Sequence, residues 1–337
     1  MLGIGVIGAG YWGPNLIRNF TQHPDCQVTR VADLSVDRLD HIRELYPHIQ
    51  TTKDYQDVIA AEDVDAICVC TPVRWHHPMA REALLADKHV LVEKPMTDSI
   101  ESAQDLCAIS AEKGLVLMVD HTFEYTVAVN EIRRLVAEGV LGDLYYVSMS
   151  RLNLGLFQKD INVVWDLAPH DISILNYVLG SSPVMASAQG RANIVGGIED
   201  VAMLTLEYEE GPIAYVQVSW LDPSKVRKAT FVGSQKMLEY DDMEPLEKIR
   251  IFDKGVDGPK HYDTFGEFQF SYRYGDIHTP YLESREPLQD ECRHFVDCVQ
   301  GAGVVRSGGS DGLAVVKVLE AAQVSIKSGG SQQAIAP

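Results

Sequence analysis

MLGIGVIGAGYWG, residues 1–13, is the stretch from which the fold is read. Leu2–Ile7 is an apolar run of strand length, and Gly8-Ala9-Gly10-Tyr11-Trp12-Gly13 follows it without a spacer. In a GxGxxG turn the first glycine allows the sharp bend and the second lets a pyrophosphate approach the backbone. The third allows close helix–strand packing, and the helix that opens there turns its free amides toward the phosphates. Alone the pattern is a weak signal. Here a second apolar run ends at Asp33, twenty residues after Gly13, where a ribose-binding acid belongs. That acid would accept hydrogen bonds from the adenosine ribose and repel a 2′-phosphate, so NAD is expected over NADP, with Gly8, Gly10, Tyr11, Trp12, Gly13 and Asp33 around it. A glycine turn with no ligand is the competing reading, and the register of strand, helix and acid weighs against it.

Outward from this turn, apolar runs at 2–7, 28–32, 64–70, 89–92 and 115–119 alternate with helical patterns near 13–22, 36–46, 54–61, 77–87 and 99–113. This alternation predicts a parallel, doubly wound sheet covered on both faces. Asp98 followed by Glu101 looks like a capping box, and Gly114 ends that helix. After about residue 121 the texture changes: a helix near 127–138, a strand at 144–151, a helix from Asp166 to Gly180, then strands at 184–192, 200–208, 213–220, 226–233 and 236–240. Periodicity is lost over 243–284, where Phe268, Phe270, Tyr272, Tyr274 and Tyr281 cluster; helices near 286–300 and 311–327 follow, and 328–337 reads as frayed. The predicted fold class is α/β, a Rossmann domain over 1–121 followed by an α+β domain with a largely antiparallel open sheet over 122–337.

The 337 residues carry a net charge of −19, which disfavours nucleic acid, and no apolar run approaches a membrane span. The six cysteines (26, 68, 70, 107, 292, 298) show no metal-ligand spacing, so no metal is expected, and free thiols in a reducing cytoplasm are the better reading.

Ligands of doubly wound sheets bind at the carboxyl ends of the strands. Cys70-Thr71-Pro72 and Glu93-Lys94-Pro95 sit at two such ends, so Thr71, Pro72, Glu93 and Lys94 are candidates to line a nicotinamide, with His76 close behind; a helix-start role competes for that histidine. Lys94 is also the candidate to polarise a substrate oxygen, against a structural pairing with Glu93. In Trp165-Asp166-Leu167-Ala168-Pro169-His170-Asp171, Asp166 and His170 are four apart and share a helix face. A histidine beside an orienting carboxylate suits transfer of an alcohol proton. By spacing alone, Asp166 as an N-cap and His170 as a satisfied histidine is the preferred reading. Substrate candidates on overhanging loops are His121, Tyr125, Arg151, Asn153, Asn162 and Trp165. Lys225 and Arg227 are offered for a pyrophosphate or as solvated charges, and the Tyr272–Tyr281 stretch for stacking or for packing.

GxGxxG with its acid, CTP, EKP and DxxxHD, in this order, resemble the Gfo/Idh/MocA oxidoreductase family across essentially the whole chain. The resemblance implies an NAD-dependent dehydrogenase acting on a CH–OH group, with Lys94 and His170 flanking the substrate carbon and Asp166 as their neighbour. It also implies dimers or tetramers through the open sheet. GYWGPNLIRNF, VWDLAPHDISIL, SWLDPSKVRKATFVG and MLEYDD are similar to the branch that oxidises the 3-hydroxyl of nucleotide-activated amino sugars, UDP-N-acetylglucosamine or its uronate. A free sugar or polyol dehydrogenase, an NADP-dependent ketosugar reductase and an NAD-sensing regulator on the same fold stand as alternatives.

Overall fold

The computed structural model describes residues 1–155, 157–257 and 271–336. The chain folds into two compact units, Met1–Thr126 with Arg285–Lys317, and Val127–Ser284 with Val318–Pro337.

In the first unit six parallel strands, β1 (Leu2–Ile7), β2 (Cys26–Ala32), β3 (Gln50–Thr52), β4 (Ala66–Val69), β5 (His89–Glu93) and β6 (Leu117–Asp120), lie in the order β3-β2-β1-β4-β5-β6. Helices α1 (Gly13–Thr21), α2 (Val36–Leu45), α3 (Tyr55–Ile59), α4 (His76–Leu85) and α5 (Ile100–Lys113) alternate with them. Strands covered on both faces must be apolar throughout, and Ala66–Val69, reading AICV, is wholly buried. The strand order reverses between β1 and β4, which opens a crevice at their carboxyl ends. β3 escapes the sequence reading because it is three polar residues at a sheet edge. The cap of α5 is Ser99 and not Asp98: Ser99 Oγ accepts from the Ser102 amide at 3.2 Å.

The second unit holds a nine-stranded sheet of β7 (Leu144–Leu154), β8 (Met185–Arg191), β9 (Val201–Glu207), β10 (Ile213–Ser219), β11 (Leu221–Gly233), β12 (Met237–Asp241), β13 (Ile249–Asp257), β14 (Ser271–His278) and β15 (Gln333–Ala334). Its order is β14-β13-β12-β11-β7-β10-β9-β8-β15. β7 and β10 are parallel and every other described pairing is antiparallel. α6 (Val127–Ala137) packs on α7 (Val163–Leu179), and α7 lies against β7, β9 and β10. On β9 and β10 the side chains facing away from α7 stay exposed, Met203 and Tyr215 among them, and the Tyr146 ring on β7 stands edge-on to Tyr215. β13, β14 and β15 were not expected. β14 is exposed along its whole length but for Arg273, so its sequence shows no apolar alternation, and Phe268 and Phe270 lie outside the described residues. Tyr272, Tyr274 and Tyr281 are exposed.

α8 (Pro287–Val299) returns to the first unit, whereas the sequence division placed it after residue 122. Phe295 meets Phe20 of α1 edge-on at 6.1 Å, and Arg18 pairs with Glu286. An amphipathic helix shows which face it buries but not against what, and this return is legible only in the folded chain. α9 (Gly309–Lys327) begins in the first unit and ends in the second. Among the described residues no helix is long and apolar enough to cross a membrane.

Candidate active site

In the first unit the glycine turn is forced by the chain's own backbone at two of its three glycines. Gly8 has φ +101°, and a Cβ on Gly13 would stand 2.0 Å from the Gly8 carbonyl oxygen. Gly10 is different: its Cβ would meet nothing nearer than Arg38 Nη1 at 3.6 Å, so space is open where a pyrophosphate approaches. Trp12 precedes α1 without capping it by a side chain, leaving first-turn amides available to an anion. Asp33 braces the turn: Oδ2 accepts from the Ala9 amide at 2.7 Å and Oδ1 from the Ser35 amide at 2.8 Å. Arg38 Nη1 stands 3.4 Å from Oδ2, a cation beside the ribose acid that the sequence reading missed. A cleft of about 490 Å³ adjoins the turn, lined among others by Gly10, the exposed Tyr11, Arg38 and His41. These residues fit a dinucleotide.

Two strand-end loops are tied together behind this turn. The buried His76 ring faces two carbonyl oxygens, Thr71 O at 2.7 Å from Nε2 and Pro95 O at 2.9 Å from Nδ1. Both nitrogens are thus occupied, and His76 clamps the loops after β4 and β5. Pro72 is exposed and Thr71 and Lys94 are half-buried at those ends. Glu93 braces the backbone, its Oε2 accepting from the Lys94 amide at 3.0 Å. Trp12 Nε1 donates to Asp120 Oδ2 at 2.5 Å, so the indole serves the glycine turn's anchorage. Tyr125, expected at the substrate, is 5% exposed; its hydroxyl is 2.9 Å from His294 Nδ1 and Arg306 lies over its ring. The returning α8 supplies His294 and packs on the segment that carries Tyr125.

Burial, and next the Asp120 charge, holds Glu291 of α8 far above the usual carboxylate range. The folded protein therefore keeps a proton that the unfolded chain releases above about pH 4.3. The stability this group supports is complete below that pH and is lost as pH rises toward its folded value. Glu291→Gln abolishes this dependence. Thermal melts should show the variant gaining on the wild type as pH rises from about pH 5, by up to roughly 1.4 kcal/mol per pH unit while the folded protein keeps that proton. A constant offset over that range contradicts a neutral Glu291.

In the second unit α7 begins at Val163, three residues before the predicted start. Its N-cap is Asn162, whose Oδ1 accepts from the Val164 and Trp165 amides while Nδ2 donates to Glu199 and Gln323 at 2.6 Å each. Asn162 is thereby fully engaged as a cap, and Asp166 is freed from that role. Pro169 then lies inside the helix, past the first turn, and the Trp165 carbonyl lacks the amide it would otherwise accept from. Asp166 Oδ2 accepts from Trp220 Nε1 at 2.9 Å, a contact between residues 54 apart that no local pattern signals. His170 follows one turn later on the same face, half-buried. Trp165 is 9% exposed, and Asn153 is half-buried on β7.

The expected substrate cations are mostly spoken for. Arg151, 5% exposed, grips Asp171 with Nη2 at 2.7 Å and Nε at 3.1 Å from Oδ1, fixing α7 to β7. Arg227 Nη1 donates to Asp242 at 3.2 Å, a carboxyl that also takes Lys248 and is held below its usual range by Lys248 and Arg227 against the cost of burial. Lys225 is exposed.

Known proteins share both domains. Residues 2–121 match the Gfo/Idh/MocA oxidoreductase family with NAD-binding Rossmann fold, and residues 129–239 match the Gfo/Idh/MocA C-terminal domain. The D-glucoside 3-dehydrogenase of Escherichia coli (strain K12) is 23% identical over 361 residues, covering 97% of this chain and 96% of that protein. The structure of GenD2 from gentamicin A biosynthesis in complex with NAD superposes with TM-score 0.83 at 23% identity, over 100% of this chain and 97% of that one. UDP-N-acetylglucosamine 3-dehydrogenase from Acidithiobacillus ferrooxidans gives TM-score 0.79 at 22% identity, over 97% and 98%. At such identities the structures speak to the fold, while the two matched domains, in sequence order, speak to descent. With both domains matched, one after the other along the sequence, this chain belongs to the Gfo/Idh/MocA family of NAD-binding oxidoreductases.

Proposed function

We propose that this oxidoreductase removes hydride from a ring secondary alcohol of a sugar, with the 3-hydroxyl of a nucleotide-activated amino sugar, UDP-N-acetylglucosamine or its uronate, as the first candidate. The observation that carries the catalytic part is the Asp166–His170 face of α7, where Trp220 pins the carboxylate. NAD, when bound, supplies the hydride acceptor. His170 takes the hydroxyl proton, and Asp166 orients the imidazole and stabilises its charged form. Lys94 hydrogen-bonds the same oxygen as it becomes a carbonyl. Thr71, Pro72 and Lys94 are proposed to line the nicotinamide, and Asn153, Trp165 and His121 to meet the sugar.

A second reading is favoured by a specific observation. Arg151 and Arg227, the expected diphosphate partners, are held in ion pairs with Asp171 and Asp242. Fewer cations for a diphosphate favour a free sugar or glycoside, the substrate class named by the E. coli relative. Sugar oxidation by NAD is uphill near neutral pH, so the test draws the product off. The enzyme, NAD, glutamate and a pyridoxal-phosphate aminotransferase are incubated with UDP-N-acetylglucosamine, its uronate, methyl glucoside or myo-inositol, and 3-amino sugars are sought by mass spectrometry, with NADH read alongside. Product from a UDP-sugar alone supports the first reading. NADH from glucoside or inositol with both UDP-sugars inert moves the enzyme to the second.

We further propose a homodimer or homotetramer through the open sheet face. Tyr146, Met203 and Tyr215 are 40%, 60% and 45% exposed there, an apolar surface that a second copy would cover. Light scattering should give a dimer or larger, and Tyr215→Glu should shift it to monomer. A monomeric wild type at micromolar concentration removes this proposal.

A further inference from the structure

The acids at the ends of β5 and β6 have no part in the chemistry above, yet they lie at the strand ends where a nicotinamide is expected. Glu93 and Asp120 face each other across the β5–β6 pairing. Asp120, 2% exposed, accepts from Trp12 Nε1 in the glycine turn and from Thr122 Oγ1. Glu93 hydrogen-bonds to it from the next strand, and Glu291, 0% exposed, lies beside it on α8. Burial first, and the Asp120 charge second, push both glutamates well above the carboxylate range. Three neighbouring carboxyls do not all ionise with ease, and of the three it is Asp120 that accepts from two side-chain donors, Trp12 Nε1 and Thr122 Oγ1.

A separate observation marks the same corner as ligand-facing. His121, next after Asp120, is 1% exposed, and neither of its ring nitrogens has a hydrogen-bond partner among the described residues. Burial and the nearby Lys94 charge drive its pKa down to about 3, so the ring is neutral and offers one donor and one acceptor. A buried ring with both nitrogens open is costly unless something bound completes it. The Lys94 charge acts on Glu93 as well as on His121, which places the acids, the lysine and the open imidazole around one locus.

We infer that the Asp120 carboxylate is the fixed charge through which this chain binds NAD⁺ in preference to NADH. The oxidised nicotinamide carries a positive charge and the reduced one does not, while the rest of the dinucleotide is the same. A weakly screened anion therefore acts on the difference alone. Holding the oxidised form more tightly loads the enzyme with NAD⁺ and eases release of NADH after turnover. The inference rests on the nicotinamide reading of these strand ends and needs no assumption about the substrate.

The test is cofactor binding without substrate. Dissociation constants for NAD⁺ and NADH are measured by calorimetry on the full chain and on Asp120→Asn, Asp120→Ser and Glu291→Gln. Both Asp120 substitutions should cut the NAD⁺ preference about tenfold or more, chiefly by weakening NAD⁺. Glu291→Gln exchanges one neutral group for another and should stay within about twofold of wild type. Asparagine keeps the size and serine leaves room for water, so whichever variant melts as a folded species carries the test. An unchanged preference in a folded Asp120 variant overturns the inference, as does an equal loss in Glu291→Gln, which would move the charge off Asp120. A wild type that binds neither cofactor removes the nicotinamide assignment and this inference with it.

Discussion

Lys94→Met and His170→Asn are each expected to lower turnover by at least ~100-fold, the scale on which enzymes lose an acid–base or charge-stabilising group. The two losses have different causes. Methionine keeps the apolar stem of Lys94 and deletes the ammonium proposed to meet the developing carbonyl. Asparagine keeps a polar side chain at position 170 and deletes the group proposed to take the proton. NAD should still bind to both within a few-fold, because neither residue belongs to the glycine turn that meets the pyrophosphate. Asp166→Asn should fall between these variants and wild type: it preserves the hydrogen bond to Trp220 but cannot stabilise a charged imidazole. Steady-state rates on whichever sugar turns over, paired with calorimetric NAD titrations, separate the two effects. Near-normal rates in both Lys94→Met and His170→Asn would move the reacting centre elsewhere.

The glycine turn supports a second large effect, in which folding and binding come apart. Gly13→Ala places a methyl carbon 2.0 Å from the Gly8 carbonyl, backbone against backbone, so the turn must open. The expected cost is on the order of 1–3 kcal/mol of stability, with NAD affinity reduced by ~100-fold or more because the phosphate-binding amides move with the turn. Gly10→Ala meets open space out to 3.6 Å and should melt like wild type. It should nevertheless weaken NAD by about tenfold or more, since the new methyl stands where the second glycine admits the pyrophosphate. Melting curves and NAD titrations on both variants check this. A Gly10→Ala protein that binds NAD like wild type would take the turn out of the phosphate site.

Asp33 shows how far a motif carries. Its position is legible from the spacing after Gly13, yet its two oxygens already hold the Ala9 and Ser35 amides, and Arg38 stands beside it. Spacing marks the acid as the candidate for the ribose; it does not disclose the cation next to it. Arg151 makes the same point in the second unit. An arginine on a strand that leads into a cleft-side loop reads as a ligand contact, and whether it meets an anion of its own chain depends on Asp171, twenty residues away on another element. Tyr125 and His76 were likewise placed near the ligand by chain position and are held by partners that only folding brings to them. Asp120 was overlooked, although an acid directly after the apolar run Leu115–Val119, matching Glu93 after the preceding run, was the available signal.

Local pattern sufficed for the alternation of strands and helices in the first unit, the glycine turn, the paired Asp166 and His170, and descent from one family of oxidoreductases. These features depend on residues within a turn or two of each other, or on a covered strand that must be apolar along its whole length. Three-dimensional packing decided the rest: the return of α8 to the first unit, the cap at Asn162, the Trp220 brace on Asp166, the ion pairs that occupy Arg151 and Arg227, and the buried acids around Asp120. Each brings together residues distant in sequence: apolar burial returns α8, and the cap, the brace and the ion pairs arise where the fold brings a partner within reach of a polar group.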